Sequence, residues 1–385
     1  MSDRRSRIIS LTFLLFLGGV VVAGVLIAQR AETAILQSQS GEVTSAVLDP
    51  TEPGFRAFTT STDTALVLHT AVVSNAGAQL IGVSLLAEAD ASAGGSVITV
   101  PRTFVDQEAS GVPLADIFSS GGVDGVVSEL NATFGIGFGE VVVLDAASWT
   151  SLMVADLPLT LTLREDLVEA VDPADPDGAT QVVLASGTRA FTLTEIATIA
   201  AHQNPGEPSL GVALRHQQIW TAWISRTAGA DERPELLTQE TGFVELIGSL
   251  ASAEVSYRTA ETATVIAERP EDTTYEAAGD VIRDVIAEIV PFPESAEPGD
   301  RPTVFLLDRS LGVDDLLPVV SGITRSGGLV TIIGNTDGVT QMEPEVQVHD
   351  PAAAEVAAEI AERLGYGEPR TVSLDEATTA ITVVS

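Results

Sequence analysis

The side chains of this sequence that could do chemistry are arginines, carboxylates and four histidines, because the 385-residue chain contains no cysteine. The missing cysteine excludes disulfides, thiolate metal sites and cysteine nucleophiles. All 19 basic residues are arginine, and a guanidinium can hold phosphate or carboxylate oxygens with two parallel hydrogen bonds. Arg102 follows a β-branched run that ends at Pro101, and Asp63 precedes a long apolar run. Strand ends are therefore the first candidate positions for a site.

The charge balance is strongly acidic, with 54 acidic residues against 19 basic ones and a formal net charge of −35 at pH 7. Such a surface repels nucleic acid and anionic lipid headgroups. We therefore expect no nucleic-acid partner, which disfavours a transcription regulator. The acidic surplus indicates solubility or adaptation to salt more than an acidic recognition patch, and both interpretations stay open.

The N-terminus carries the pattern of a membrane anchor. An uncharged apolar run extends from Ile8 to Ala28, long enough to cross a hydrocarbon core roughly 30 Å thick. Arg4, Arg5 and Arg7 precede it, so the positive-inside rule predicts a cytoplasmic tail at residues 1–7 and an extracytoplasmic ectodomain. A cleaved signal peptide is the alternative, although the run is long for one and lacks a clear cleavage site.

Beyond the span, residues 29–55 are polar and small, which predicts a membrane-proximal stalk. Strand-like apolar runs and helical periodicity then alternate along the chain, which predicts an α/β or α+β fold with a layered sheet and helices on both sides. The expected first strands are residues 65–73, 82–86 and 95–101, followed by a helix over 123–134 that Gly121 and Gly122 open. Expected later elements are strands at 140–145 and 157–163 and helices at 147–154, 192–201, 213–225, 243–252 and 277–289.

A proline-rich, acidic segment divides the ectodomain. Pro291, Pro293 and Pro298 predict a linker at residues 291–301 between a first domain, 56–290, and a second, 302–385. In the second domain strands are expected near 303–307, 329–333, 346–349 and 380–384, with helices at 313–325 and 352–364. That order predicts a small C-terminal α/β domain.

Several of these segments, taken in order, resemble the LytR–CpsA–Psr family. The run Asp63-Thr64-Ala65-Leu66-Val67-Leu68-His69 is similar to a family strand led by Asp-Thr. Val97 to Thr103 is similar to a strand that ends in Pro-Arg-Asp. The Gly121-Gly122 helix, the strand ending at Asp145, the Arg215-His216-Gln217-Gln218 segment and Phe292-Pro293 follow in the family's order. The closing residues 304–308 and 380–384 resemble the LytR C-terminal domain of actinobacteria.

The resemblance implies a membrane-anchored phosphotransferase of the cell envelope. Such enzymes move a glycopolymer phosphate from a polyprenyl-pyrophosphate carrier onto peptidoglycan. The family uses Mg²⁺, arginines that clamp the pyrophosphate, and a hydrophobic tunnel for the lipid. By this resemblance Arg102 would contact phosphate and Asp63 would help to hold the metal, which makes them the catalytic candidates.

The sequence departs from the family at several of these positions. Thr103 stands where the family has aspartate, which removes a carboxylate from the implied Mg²⁺ site. The stretch from Ala200 to Asn204 lacks the family's Arg-x-Arg. Further on, Ala213 and His216 stand at arginine positions, and Arg215 is one place early, about 100° around a helix from His216.

The remaining substrate-binding candidates are His202, Arg215, His216 and Gln217. A protonated imidazole could donate to phosphate and replace a lost arginine, but a solvated histidine is mostly neutral at pH 7. Each residue also has a plain structural interpretation. Arg102 fits an ordinary surface arginine and Asp63 a strand start, whereas His202 and His216 fit polar loop or helix-surface positions. His69 fits a core or edge histidine, and the three tryptophans, Trp149, Trp220 and Trp223, fit core packing.

Two functions stay open on this evidence. The first is an active glycopolymer transferase on the outer face of the membrane. The second is a catalytically inactive relative that binds a lipid-linked or wall ligand, or organises or regulates envelope proteins. An active pyrophosphate site needs several positive charges close together. The lost arginines and the acidic background therefore favour the second function. Whether the chain is an enzyme is left undecided by its sequence.

Overall fold

A computed structural model describes the protein over residues 54–385, apart from short segments. The residues outside the description are 1–53, 74–76, 89–93, 154–157, 173–177, 229–241, 260–263, 269–272, 277–278, 298, 309–312, 336–342 and 373–378. The predicted cytoplasmic tail, the predicted span at 8–28 and nearly all of the predicted stalk therefore lie outside the described residues. Along the part that is described, no helix combines the length and the apolar character needed to cross a bilayer.

Strands and helices alternate along the chain, as the sequence predicts. The strands are β1 (Arg56–Phe58), β2 (Thr64–Val73), β3 (Gly77–Glu88), β4 (Gly95–Pro101), β5 (Phe104–Val105), β6 (Glu140–Leu144), β7 (Leu159–Leu163), β8 (Leu167–Ala170), β9 (Thr180–Leu184), β10 (Gly187–Phe191), β11 (Val255–Thr259), β12 (Thr264–Glu268), β13 (Thr273–Glu276), β14 (Thr303–Asp308), β15 (Leu329–Asn335), β16 (Glu345–Val348), β17 (Arg370–Thr371) and β18 (Ile381–Val384). The helices are α1 (Leu114–Phe134), α2 (Ala146–Leu152), α3 (Leu193–Ala201), α4 (Ser209–Ala228), α5 (Gly242–Leu250), α6 (Gly279–Ile289), α7 (Val313–Arg325) and α8 (Ala354–Leu364), with a short 3₁₀ turn at Pro351–Ala353.

A five-stranded sheet with the order β11-β4-β3-β2-β6 forms the middle of the N-terminal part. The strands β2, β3 and β4 form an antiparallel meander, whereas β6 joins β2 and β11 joins β4 in parallel. Consequently β2, β4, β6 and β11 run in one direction and β3 runs in the other. The carboxyl ends of four strands therefore share one edge of the sheet, called the carboxyl edge below.

Helices cover both faces of this sheet, which confirms the predicted layered α/β arrangement. Alternating residues of β2 show the division: Leu66 and Leu68 pack on the side of α1 and α6, and Ala65 and Val67 pack on the side of α2 to α5. All four are fully buried. A strand that is covered on both faces reads as a continuous apolar run, which is why the sequence pattern of β2 is easy to recognise.

The helix boundaries follow local signals in the sequence. The helix α1 is interrupted at Gly122, whose φ of 64° and ψ of −150° are not helical, and its second half begins where the Gly-Gly pair predicts a start. It ends at Gly135, which adopts the left-handed φ of 69° and donates its N–H to Asn131. The helix α3 begins with a capping box, in which Thr192 and Glu195 each bond the other's backbone N–H.

The C-terminal part contains a six-stranded sheet with the order β1-β15-β14-β18-β16-β17. The strands β14, β15 and β18 are parallel, and β16 runs antiparallel to β18. The helices α7 and α8 cover it, and Leu306, Val320, Ile360 and Val383 are buried together in its core. This sheet and its helices have an α/β arrangement, and the sheet includes β1, a strand from the beginning of the described chain.

The proline-rich segment between the two parts is packed. Phe292 is buried in the C-terminal core, and its carbonyl accepts a hydrogen bond from the N–H of Thr62 at 2.7 Å. The hydroxyl of Thr324 donates to the Pro291 carbonyl at 2.6 Å. Residues Ala57–Ser385 form one compact unit, and the domain boundary at 291–301 stays a prediction.

Candidate functional site

Two candidate strand ends lie on the carboxyl edge of the central sheet. The register places Pro101, Gly82, His69 and Leu144 in one row across β4, β3, β2 and β6. In the sequence, Arg102 directly follows Pro101, and Asp145 directly follows Leu144. Because adjacent strands lie about 4.8 Å apart, the three strand steps put the backbones of these two residues about 14 Å apart.

Arg102 lies in the turn between β4 and β5 and is half-buried. Its carbonyl accepts a hydrogen bond from the N–H of Ala115 at 2.9 Å, which ties the turn to the first residues of α1. The predicted phosphate-binding arginine is thus held at the carboxyl edge by its backbone. Its role in binding phosphate stays a prediction.

Asp63, the predicted catalytic and metal-binding acid, lies at the opposite edge of the sheet. Its carbonyl accepts from the N–H of Glu88, and Glu88 is paired with Gly95, the first residue of β4. Arg102 follows the last residue of the same strand, so the length of β4, roughly 20 Å at 3.3 Å per residue, separates Asp63 from Arg102. The structure does not bring these two candidates together.

A cleft opens on the carboxyl edge where β2 and β6 end. Its volume is about 410 Å³. Asp145, just after β6, and His202, just after α3, both line it. The cleft therefore brings His202, a predicted substrate-binding residue, to the strand end at Asp145 that resembles the family. The lining residues are Ala71, Val72, Asp145, Ala146, Ala147, Thr198, Ala201 and His202.

The carboxylate of Asp145 is committed to the start of α2. Its Oδ1 accepts the N–H of Ser148 at 2.7 Å and the Ser148 hydroxyl at 2.7 Å. These hydrogen bonds, led by the backbone N–H of Ser148, lower the pKa of Asp145 below its usual value. The group is therefore an anion at neutral pH and is unsuited to act as a general acid.

His202 ends α3 and is held by backbone. Its Nε2 lies 2.9 Å from the Val168 carbonyl oxygen and 3.2 Å from Oδ1 of Asn204. Because a carbonyl only accepts, Nε2 carries the proton and donates it. His202 therefore lines the cleft as a ring of fixed orientation.

Thr103, which stands at the family's aspartate position, is buried in a network of hydroxyl groups. Its Oγ1 lies 2.6 Å from the Thr273 carbonyl oxygen and 2.6 Å from Oγ of Ser209. Since the carbonyl only accepts, Thr103 donates to Thr273 and accepts from Ser209. This side chain links the turn between β4 and β5 to β13 and α4, and its hydrogen bonds are made inside the protein.

Arg215 does not line the carboxyl-edge cleft. Its guanidinium is paired with Glu207 and donates to the His202 carbonyl, and the two charged side chains are only 11% and 12% exposed. Both residues line a separate cleft of about 220 Å³, together with Gln218. The predicted angular separation of Arg215 from His216 is confirmed, because His216 points into the core. Gln217 is half-buried, and its role stays a prediction.

His216 is fully buried, so its interpretation as a helix-surface group is wrong. Its Nε2 donates to the Ala200 carbonyl at 2.7 Å. The ring stacks on that of His69, which is also buried. Burial lowers the pKa of His216 to about 4, so this imidazole is neutral at pH 7 and cannot replace a phosphate-binding arginine.

The interpretation of His69 as a core histidine is confirmed. Its Nε2 lies 2.8 Å from Oγ of Ser84, and the same hydroxyl accepts from the indole N–H of Trp220 at 3.0 Å. The rings of Trp149, Trp220 and Trp223 are packed on one another with centroids 5.1 to 6.3 Å apart. This aromatic cluster fills the layer between the sheet and helices α2 to α4, which confirms the tryptophans as core residues.

The residues of the carboxyl edge do not fit the Mg²⁺ that the family resemblance implies. Mg²⁺ is usually held by one or two carboxylates together with water and substrate phosphates, but Asp63 lies at the opposite edge and Thr103 presents a buried hydroxyl in place of a carboxylate. The carboxylate of Asp145 already caps α2. Within the described residues no three His, Asp or Glu side chains converge as metal ligands.

The sequence patterns single out neither Asp145 as a cleft residue nor Ser84 as the partner of two buried rings. For Asp145 a signal exists: an aspartate at a strand end, three residues before Ser148, is a helix N-cap pattern. For Ser84 there is none, because one serine inside an apolar strand does not reveal which rings lie above it.

No protein-family model matches the sequence, and no curated protein matches it. Among solved structures, the chain is similar to TagT bound to LI-WTA, with 16% identity over 64% of this chain and 93% of that one and a TM-score of 0.45. It is similar to TagV of B. subtilis, with 14% identity over 60% and 98% and a TM-score of 0.45. It is also similar to the LytR-CPS2A-psr family protein YwtF (TagT) with bound octaprenyl pyrophosphate lipid, with 15% identity over 64% and 94% and a TM-score of 0.44.

Proposed function

We propose that this chain is a cell-envelope protein of the LytR–CpsA–Psr type that does not transfer phosphate and serves as a ligand-binding or scaffolding module. The order of the family-like motifs supports the type. The internal hydrogen bonding of Thr103 is the observation that carries the loss of catalysis. The proposed location is the outer face of the cell membrane, with the apolar N-terminal run as the anchor.

The argument from Thr103 is one of charge and geometry. A metal-assisted phosphoryl transfer needs a carboxylate that holds the cation beside the pyrophosphate. At this position the side chain is a neutral hydroxyl that holds the turn between β4 and β5, the strand β13 and the helix α4 together. A carboxylate in its place would face the Thr273 carbonyl oxygen at hydrogen-bond distance, so the surroundings have adapted to a neutral group.

The arginines lead to the same proposal. A pyrophosphate needs several cationic groups around its oxygens. Arg215 is neutralised by Glu207, and His216 is a buried, neutral ring. Arg102 remains as a candidate cation of the motif at the carboxyl edge, whereas the cleft on the same edge, about 14 Å away across three strands, contains the anion of Asp145. Within the part of the chain that the structure describes, we find at this edge no group of positive charges such as pyrophosphate chemistry requires.

The aromatic cluster bears on lipid binding. In the family the lipid occupies a hydrophobic tunnel, but here Trp149, Trp220 and the two stacked histidines occupy the layer between sheet and helices. We therefore place the bound ligand, a lipid-linked glycopolymer or peptidoglycan, at the protein surface.

The second candidate function is an active transferase that moves a glycopolymer from a polyprenyl-pyrophosphate carrier to peptidoglycan. The motif order around Pro101 and Arg102 favours it.

A transfer assay separates the two functions. The full-length chain in detergent is incubated with a polyprenyl-pyrophosphate-linked oligosaccharide, peptidoglycan and Mg²⁺. We expect no transfer, with or without the metal, while the protein sediments with peptidoglycan or with vesicles that contain the lipid-linked sugar. Transfer that requires Mg²⁺, is lost in Arg102→Ala and persists in the control Arg226→Ala would establish the transferase instead. Arg226 is an exposed residue near the end of α4.

The proposed topology has its own test. A reporter that folds only outside the cytoplasm, fused to the C-terminus of the full-length chain, is expected to be active and to remain with the membrane fraction. Replacing Arg4, Arg5 and Arg7 by glutamate should reduce the correctly oriented fraction. An inactive C-terminal reporter in the unaltered chain would contradict the extracytoplasmic placement.

A further inference from the structure

A third cleft, lined by other residues than the two described above, gathers arginines from three places in the chain. It has a volume of about 330 Å³ and lies where the end of α1, the helix α6 and the end of α7 meet. Three arginines line it. Arg283 belongs to α6, Arg301 comes shortly before β14, and Arg325 is the last residue of α7. This convergence is unexpected in a chain with 54 acidic and 19 basic residues, because like charges at one place repel each other.

Arg301 is the central cation of this cleft, and backbone carbonyls are its partners. Its Nε and Nη2 donate to the Gly135 carbonyl, and its Nη1 donates to the carbonyls of Thr324 and Gly328 at 2.9 and 3.0 Å. No carboxylate of the described chain forms an ion pair with it. Burial lowers the pKa of Arg301 to about 10, so it keeps its charge at neutral pH. Among the described residues, carbonyl dipoles at helix ends are the groups that offset its positive charge.

The other two arginines have carboxylate partners that lie at the rim. Arg283 pairs with Glu108, which is 65% exposed, and Arg325 pairs with Asp284, which is 59% exposed. Ion pairs with such exposed partners are weak, because water screens them. The Nε–H of Arg283 is buried and has no hydrogen-bond partner in the described structure. An unpaired buried donor is costly, and a bound anion would satisfy it.

The rest of the lining offers little apolar surface. Phe134, Ile136 and Ile286 stand behind the cleft and are at most 2% exposed, and Ser326 is 3% exposed, so polar groups bound most of the open space. The single carboxylate in the lining is Glu359, which lies 3.5 Å from Nη2 of Arg363. Three cations and one anion therefore face a space near the lower end of the usual ligand-pocket range of about 300 to 1,000 Å³.

We propose that this cleft binds a sugar phosphate, with the arginines on the phosphate oxygens and the sugar in the rest of the open volume. Guanidinium groups match tetrahedral oxyanions because they donate two parallel hydrogen bonds. The proposal does not depend on the proposed function. It assigns a ligand class to a cleft formed jointly by the N-terminal and C-terminal parts.

Calorimetric titration of the full-length chain at low salt tests the assignment with three probes: glucose 1-phosphate, inorganic phosphate and glucose. We expect glucose 1-phosphate to bind more tightly than inorganic phosphate, and glucose not to bind. Arg283→Gln should weaken the binding of glucose 1-phosphate about tenfold, the loss of one charge-assisted hydrogen bond. The control Arg370→Gln removes an exposed, ion-paired arginine of the C-terminal sheet and should leave the affinity unchanged.

Glu359→Gln provides a test of opposite sign. It removes the anion from the lining, so the affinity for glucose 1-phosphate should increase several-fold. Several outcomes overturn the proposal. One is an unaltered chain that binds none of the probes, which would leave Arg301 as a structural clamp alone. Others are equal affinities for the two phosphates, which remove the sugar from the assignment, or equal losses in Arg283→Gln and Arg370→Gln.

Discussion

The imidazole rings of His69 and His216 stack inside the protein, with centroids 3.9 Å apart and planes inclined by 28°. The Nε2 of His216 donates to the Ala200 carbonyl, and the Nε2 of His69 is hydrogen-bonded to the Ser84 hydroxyl. In each ring the other nitrogen, Nδ1, is buried and has no hydrogen-bond partner in the described structure. Burial, and then the charge of the neighbouring ring, keeps the pKa of His69 well below its ordinary value. The pair is therefore stable as two neutral rings, and a proton on either ring opposes folding.

The stability of the protein should fall with decreasing pH because of this pair. An unfolded histidine has a pKa of about 6.5, whereas that of folded His216 is about 4. Below about pH 6.5 the unfolded state binds a proton that the folded state does not, so the free energy of unfolding decreases until about pH 4. For His216 the total loss is about 3 kcal/mol, since one pKa unit corresponds to about 1.4 kcal/mol.

His216→Phe should make the stability less dependent on pH, because the ring is retained and one titrating group is removed. Urea unfolding at about pH 7 and about pH 5 measures the two free energies for each protein. We expect the difference between the two pH values to shrink by about 2 kcal/mol in the variant. An unchanged difference would mean that the buried ring does not resist protonation.

Gly82 should be intolerant of a side chain because of the same ring. A Cβ at this position would lie 3.0 Å from Nδ1 and 3.2 Å from Cε1 of His216. We expect Gly82→Ala to cost about 1 to 3 kcal/mol of stability, the usual range for overpacking. The control is Gly248→Ala in α5, where a Cβ meets no atom within 4 Å and should stabilise the helix by up to about 1 kcal/mol.

A double-mutant cycle identifies the contact. In a His216→Ala background the added methyl group of Gly82→Ala has room, so its cost should largely disappear. Equal costs in both backgrounds would place the strain elsewhere.

The sequence predicts the layered fold well because its signals are local. The strand β2 is a continuous apolar run, and the Gly121-Gly122 pair marks the start of the second half of α1. Short strands with exposed, polar residues were harder: β8 and β9 form a hairpin that the apolar pattern does not reveal. The pairing of β1 with the C-terminal sheet is also hidden, because three residues do not show which distant strand they join.

The candidate site could be predicted only in part, and the reason is the direction of the strands. Asp63 precedes β2 and Arg102 follows β4, and in an antiparallel meander the first and third strands run the same way. The start of one and the end of the other then lie at opposite edges. The hydrogen bonds of Arg301 to three carbonyls depend on how two parts of the chain pack, and no local pattern indicates them.

Thr103 should be more sensitive to replacement than an ordinary threonine. Thr103→Val removes the buried hydrogen bonds to Ser209 and Thr273, which should cost about 1 to 3 kcal/mol. The control Thr162→Val breaks an exposed hydroxyl pair with Thr188 and should cost less than about 0.5 kcal/mol. Chemical unfolding measures both.

Thr103→Asp, the residue of the family pattern, should destabilise the protein more than valine does, because it buries a charge beside a carbonyl oxygen. We expect neither Mg²⁺-dependent stabilisation nor transfer activity in this variant. A Thr103→Asp protein that is as stable as the unaltered chain, and whose melting temperature increases with Mg²⁺, would show that a metal site persists there.

Arg301 should act as a clamp between the N-terminal and C-terminal parts, whether or not its cleft binds a ligand. Its guanidinium connects Gly135, just after α1, to the carbonyls of Thr324 and Gly328 around the end of α7. Cations at helix C-termini are stabilising, and Arg301→Met removes both the charge and the donors. We expect a loss of about 2 kcal/mol or more from these charge-assisted hydrogen bonds.

Arg301→Lys should recover only part of this loss, because an ammonium group lacks the planar fork that reaches carbonyls on two sides. The control Arg370→Met removes an exposed ion pair with Glu345, which is worth at most about 1 kcal/mol. Thermal unfolding gives the order of stability, and amide hydrogen exchange in the last turns of α1 and α7 locates the effect. If the melting temperature and the exchange rates of Arg301→Met equal those of Arg370→Met, the two parts are held together by their apolar contacts and not by this arginine.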